Sequence, residues 1–165
     1  MTMQMPASQL AHWSPRQAGL SRARFGSATD SFGGAARVGP RDLVLIVEDD
    51  RVVAEMYRVA LTRGGYEVEV AEDGLAGLQK ASMKPPDFVF LDIRMPRMNG
   101  LETLRRLRSS PSTHATPVIM LSNYDDAGQI SASMELGAKQ YIVKTTVLPG
   151  DLPKIVSQWL GRGPE

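Results

Sequence analysis

Polar side chains stand wherever a short apolar run ends: Glu48, Asp49 and Asp50 after Leu43–Val47, Asp92 after Phe88–Leu91, Ser122 after Pro117–Leu121, and Lys144 after Gln140–Val143. Carboxylates gathered on one rim repel one another unless a cation screens them, and an all-oxygen donor set suits a hard ion such as Mg2+ rather than zinc. Beside such an ion an ionised aspartate can attack phosphorus, giving an acyl phosphate. Asp92 is the carboxylate placed for that role. Lys144 and the hydroxyl of Ser122 would then contact the transferred phosphoryl oxygens, with backbone N–H groups completing the cradle. His12 and His114 fall outside the set, so it offers neither an imidazole ligand nor a histidine base. Taken singly, each residue reads as a turn or helix cap; four strand ends contributing together carry the chemistry.

These positions converge only if the chain alternates strands and helices around a parallel sheet, where ligands collect at the carboxyl ends of the strands. From Asp42 onward the pattern does so. Leu43–Val47 is a continuous apolar run suited to a central strand buried on both faces. A helix from Asp50 to Arg63 would bury Val53, Met56, Ala60 and Leu61 and stop at Gly64-Gly65. Tyr66–Val70 alternates apolar and charged residues, as an edge strand would. Asp73 caps a second helix to Ser82, ended by Pro85-Pro86, before the third strand, Phe88–Leu91. Asn99 caps a third helix, reaching Ser109, packed through Leu101, Leu104 and Leu107, with Arg105, Arg106 and Arg108 facing water. Pro117–Leu121, a helix over Asp125–Leu136, Gln140–Val143 and a last helix from Leu152 to Leu160, with Asp151 able to cap it, complete five βα units.

Composition narrows the class. A chain of 165 residues with 42% hydrophobic content supports one compact domain and leaves length over. The absence of cysteine excludes disulfides and thiolate chemistry, and fits a cytoplasmic location. No apolar run approaches the roughly 20 residues of a membrane span, and no basic start leads into an apolar signal stretch. Residues 1–41 lack helical or strand periodicity, end in glycine-rich linker chemistry and carry +4, against −3 for the rest. They are expected to be a disordered, weakly basic tail, with the folded domain over residues 42–162. About five residues follow the last helix, so no effector domain and no direct DNA binding are expected. There is neither a P-loop nor a strand-borne G-x-G-x-x-G, which argues against nucleotide binding.

The stretches Leu43–Asp50 and Asp87–Gly100 resemble the receiver domain of two-component response regulators, the family that includes the single-domain chemotaxis regulator. The resemblance spans Asp42 to Leu160 and implies a flavodoxin-like, doubly wound five-stranded parallel sheet in the order 2-1-3-4-5. It further implies that Glu48 and Asp49 are the metal-binding acidic pair, Asp92 the phosphorylated aspartate and the Arg94 carbonyl a further Mg2+ ligand. Ser122 matches the family's hydroxyl position, Tyr141 its aromatic switch and Lys144 its lysine; Asp50 is left spare or as a cap on the first helix. Two departures stand out. Thr145 and Thr146 follow Lys144 where the family usually has a proline, so a trans peptide and an altered loop are expected. Asn123 and Tyr124 follow Ser122 where small residues are common, so the rim should be partly covered.

The function expected is a stand-alone response regulator. A sensor histidine kinase or phosphotransfer protein would donate a phosphoryl group to Asp92 with Mg2+. Ser122 and Tyr141 would then shift a surface across the fourth helix, fifth strand and fifth helix toward a downstream protein. The alternative is a receiver-like interaction module that is never phosphorylated. A small-molecule phosphohydrolase is disfavoured because Arg94 stands where such enzymes carry a second catalytic aspartate.

Overall fold

A computed structural model describes residues 40–161. Its elements are β1 (Leu43–Val47), α1 (Arg51–Arg63), β2 (Glu67–Ala71), α2 (Gly74–Met83), β3 (Phe88–Asp92), α3 (Gly100–Ser109), β4 (Val118–Ser122), α4 (Ala127–Glu135), β5 (Gln140–Val143) and α5 (Leu152–Trp159). The strands form one parallel sheet in the order β2-β1-β3-β4-β5. The expected doubly wound topology is therefore the observed one. The expected disordered tail and the histidine His12 lie outside the described residues.

The three inner strands are buried along their whole length, because helices cover both sheet faces and alternate side chains must be apolar on each. On one face Val44, Ile46, Phe88, Phe90, Ile119 and Leu121 pack against Tyr57 and Leu61 of α1 and Leu152 and Val156 of α5. On the other, Leu45, Val47, Val89, Leu91, Val118 and Met120 meet Ala81 of α2 and Leu104 and Leu107 of α3. The helices start where short acidic or amide side chains can accept from their free N–H groups. Asp50 accepts from Val52 and Val53, Asp73 from Ala76, and Asn99 from Glu102.

Three sequence expectations are corrected. In α1 Leu61 is buried and Val53 packs partly buried beside the core as expected, but Ala54 and Tyr57 fill the rest of the buried face, and Met56 is 47% exposed. Tyr57 and Met56 compete for the sheet, and the ring fills the space beneath the strand ends. Arg108 does not face water: its half-buried guanidinium donates to the carbonyls of Thr116 (2.9 Å) and Gly137 (2.8 Å), tying the ends of α3 and α4. Asp151 does not cap α5; its carboxylate accepts from the Leu148 N–H at 3.2 Å, closing the tight turn before that helix. The expected trans peptide after Lys144 holds, since no described residue has a cis bond. Without proline there, the chain runs through two 3-10 turns, Lys144–Thr146 and Pro149–Asp151.

Candidate functional site

Strand register brings the polar residues to one height. Val47 pairs with Leu91, so Glu48 and Asp92 follow side by side; Asp92 pairs with Leu121, and Ser122 with Val143, so Lys144 emerges one residue beyond. Each offset is a single strand residue, roughly 3.3 Å. The crevice lies at the carboxyl edge of β1 and β3, where the winding of the sheet reverses direction. It is a cavity of about 220 Å3 lined by Glu48, Asp49, Asp92, Ser122, Lys144 and the rim residues Arg94, Asn123 and Tyr124.

Its electrostatics are unbalanced. Carboxylate oxygens of Glu48, Asp49 and Asp92 lie within 4.8 Å of one another, and only Asp49 is exposed. Lys144 is the cation against two of them, hydrogen-bonded to Glu48 and 3.4 Å from Asp92, with side chains 8%, 3% and 7% exposed respectively. Burial, then repulsion from Glu48, pushes the Asp92 carboxyl up to about 6 despite Lys144 and the Ile93 N–H at 2.8 Å. Burial likewise raises Glu48, against the pull of Lys144. Burial disfavours the ammonium of Lys144, but the hydrogen bond to Glu48 and the nearby charges outweigh it, so Lys144 is held more firmly protonated. One ammonium cannot neutralise three carboxylates. The deficit, in an all-oxygen set, fits a hard divalent ion.

All the side chains expected from the sequence meet here except Tyr141, which stands beside the crevice rather than in it. Its hydroxyl donates to the Tyr124 carbonyl at 2.7 Å. Asp50 is spent on the α1 cap, as expected, and His114 is exposed. Sequence reasoning missed Gly100. A Cβ there would lie 2.1 Å from the Asp92 carbonyl oxygen and 2.8 Å from the Ile93 Cα, so only glycine lets α3 start against the end of β3. Its N–H donates to the Ile93 carbonyl at 2.8 Å. Gly100→Ala should cost about 1–3 kcal/mol of unfolding free energy and displace Asp92, read as a lower urea midpoint together with weakened Mg2+ binding.

A profile of the response regulator receiver domain matches residues 44–156. The chain belongs to the response regulator receiver family. It is 39% identical over 105 residues to response regulator MprA of Mycobacterium sp. strain KMS, covering 64% of this chain and 45% of that one. The receiver thus spans about half the length of the curated relatives it matches. Among solved structures it resembles the chemotaxis protein CheY4 of Vibrio cholerae, with a TM-score of 0.67, 30% identity, and coverage of 72% of this chain and 98% of that one. The receiver domain of sensor histidine kinase PA1611 from Pseudomonas aeruginosa shares the fold, with a TM-score of 0.67, 24% identity, and coverage of 74% and 99%; magnesium is coordinated in that protein's active-site cleft. Receiver domains are phospho-acceptor signalling modules of two-component systems, bind Mg2+ at an acidic site and work with histidine kinases. No helix among the described residues is long and apolar enough to cross a membrane.

Proposed function

We propose that this receiver accepts a phosphoryl group from a partner's phosphohistidine onto Asp92 and thereby changes a protein-binding surface. The observation that carries it is the crevice in which Glu48, Asp49 and Asp92 bring carboxylate oxygens within 4.8 Å of one another while the buried ammonium of Lys144 pairs with Glu48 and Asp92. Buried carboxyls held above their ordinary range, with a specific charge partner in a cleft, are the pattern that chemical sites favour. Glu48, Asp49, Asp92 and the Arg94 carbonyl would hold Mg2+, which supplies charge neutralisation as the phosphoryl group moves. An oxygen of Asp92 attacks phosphorus in line, the P–N bond to imidazole breaks, and the imidazole leaves with its electron pair and takes a proton. Lys144 shifts from Glu48 toward the new phosphoryl oxygens, and Ser122 donates its hydroxyl to them. Water later cleaves the acyl phosphate, releasing inorganic phosphate and restoring the Asp92 carboxylate, so the protein assists both its own phosphorylation and its own dephosphorylation.

Output is read as protein contact. The switch surface would be α4, β5 and α5, and α4 suits a movable element because Ser133 is its one buried residue. Ser122 drawn inward and Tyr141 leaving the Tyr124 carbonyl would repack that face. A sequence-specific DNA complex of the native-length protein would replace this part of the reading. The direct test is incubation with a radiolabelled phosphohistidine protein. Stoichiometric label that needs Mg2+, is blocked by chelator and is released by hydroxylamine is expected; chelator-resistant label would point to another acceptor.

We also propose where the donor approaches. The first turn of α1 borders the crevice and opens onto a largely apolar groove lined by Val52, Met56, Val59, Pro149 and Pro153. Val52 is 69% exposed. The two lie on either side of the start of α1, Asp50 and Val53 lining the acceptor cavity and Arg51 and Val52 the groove, and we read the groove as the seat for the phosphohistidine-bearing partner. Met56→Glu is expected to slow transfer from that protein roughly 10-fold or more, about 1.4 kcal/mol, while labelling by acetyl phosphate stays unchanged. Equal slowing with both donors would sink the assignment.

A further inference from the structure

Arg94 lines a cavity with Glu48, Asp49 and Asp92, yet it forms no ion pair with them and no hydrogen bond among the described residues. Its guanidinium instead lies over the Tyr124 ring, 4.0 Å from the centroid. Tyr124 in turn makes two main-chain contacts: its N–H donates to the Ser122 hydroxyl at 3.2 Å, and its carbonyl accepts from the Tyr141 hydroxyl at 2.7 Å. One residue therefore touches the cation at the rim, the hydroxyl in the site and the aromatic side chain on β5.

We propose that Tyr124 is a positioning residue linking the acceptor site to Tyr141, and that Arg94 is the sensor that releases it. This rests on Asp92 as the acceptor. At rest, stacking on Arg94 pins the Ser122–Tyr124 turn, and the pinned carbonyl keeps Tyr141 at the rim. An ion held by the carboxylates satisfies them and repels the guanidinium, so Arg94 stays on the ring. A phosphoryl group on Asp92 reverses the balance. It adds roughly −1.5 to −2 charge and three acceptor oxygens, and a guanidinium bonds such oxygens in a charge-assisted, bidentate manner. An exposed cation–π contact is the weaker of the two. Arg94 leaves the ring for the phosphoryl, the turn loosens, and Tyr141 loses its acceptor. Movement of Ser122 toward the phosphoryl pulls on the same turn through the Tyr124 N–H, so both contacts act in one direction.

The test uses the full chain with fluorotyrosine in place of its 4 tyrosines, signals assigned by single Tyr→Phe substitutions, and fluorine NMR with and without Mg2+ plus beryllium trifluoride as the phosphoryl mimic. In the parent protein the mimic should move both the Tyr124 and Tyr141 signals. In Arg94→Gln and in Tyr124→Ala the Tyr141 signal should stand roughly half-way or more to its activated position before any mimic is added, and the double variant should move it no further than either single one. Tyr124→Phe keeps the ring and should behave as the parent. Arg94 and Tyr124 are exposed, so these variants should melt like the parent. If the parent responds fully but Arg94→Gln keeps the Tyr141 signal at its resting position with the full mimic-induced shift, the linkage is overturned while the acceptor reading stands. If the parent itself shows no response to the mimic, both fall.

Discussion

Asp92→Asn is expected to abolish Mg2+-dependent phosphoryl labelling, from phosphohistidine and from acetyl phosphate alike, while stabilising the metal-free protein at neutral pH. The loss follows from chemistry, since an amide oxygen cannot form the acyl phosphate. The gain follows from electrostatics. A carboxyl moved from 3.8 to about 6 carries a charge penalty of roughly 2–3 kcal/mol, at about 1.4 kcal/mol for each tenfold change in proton affinity. In the unfolded chain Asp92 loses its proton near its ordinary value; in the folded chain it keeps that proton until about pH 6. The folded state therefore binds more protons between these limits, and the stability contributed by Asp92 falls as pH rises through them. Below the lower limit both states are protonated and the Asn variant gains nothing on this account; above pH 6 the penalty is complete. Urea titrations of parent and variant across that range, without metal, should give curves that diverge as pH rises. Mg2+ should close the gap by stabilising only the parent, and protons should compete with it below about pH 6. Surviving label in the Asn variant, or parallel curves at every pH, would remove Asp92 from the centre of the site.

The second large effect is expected from Lys144→Met, which fills similar volume without the charge. Glu48 and Asp92 are almost wholly buried around this ammonium, and removing one partner of a buried ion pair typically costs about 3–5 kcal/mol, because the remaining charge is left uncompensated. The metal-free variant should lose about that much at pH 7.5. Both carboxyls already sit above their ordinary range and, without Lys144, should rise further. Acidification to about pH 5 should therefore recover much of the loss by neutralising them, and Mg2+ should do the same at pH 7.5. Labelling should slow by roughly 100-fold, the usual scale for removing one preorganised donor to a developing oxyanion. Denaturant unfolding at two pH values, with and without Mg2+, checks the stability claim. A variant as stable as the parent at pH 7.5 without metal would show that Lys144 does not balance the carboxylates.

Several parts of this molecule were written locally in the chain. The continuous apolar runs of β1, β3 and β4, the caps at Asp50, Asp73 and Asn99, and the breaks at Gly64-Gly65 and Pro85-Pro86 depend on near neighbours alone. They set element type and order, and from these the handedness of βα crossovers leaves few topologies. The acidic cluster, Ser122 and Lys144 were readable for the same reason: each stands at the end of a strand, and parallel strands deliver their ends to one edge.

What required the tertiary structure is everything decided by a distant residue. Whether Met56 or Tyr57 enters the core is a contest between near-equal helical faces, settled by the sheet and α5 residues among which Tyr57 packs. Arg108 looked solvated because its acceptors, the carbonyls of Thr116 and Gly137, belong to other segments. Gly100 became indispensable only through its approach to the Asp92 carbonyl, and Arg94 met Tyr124 only once the loops after β3 and β4 closed over the crevice. Sequence by itself determined which groups reach the rim, because strand periodicity and termination are short-range. Only the folded chain decided how their charges are balanced and what is coupled to them, because burial and contact are set by residues far apart along the polymer.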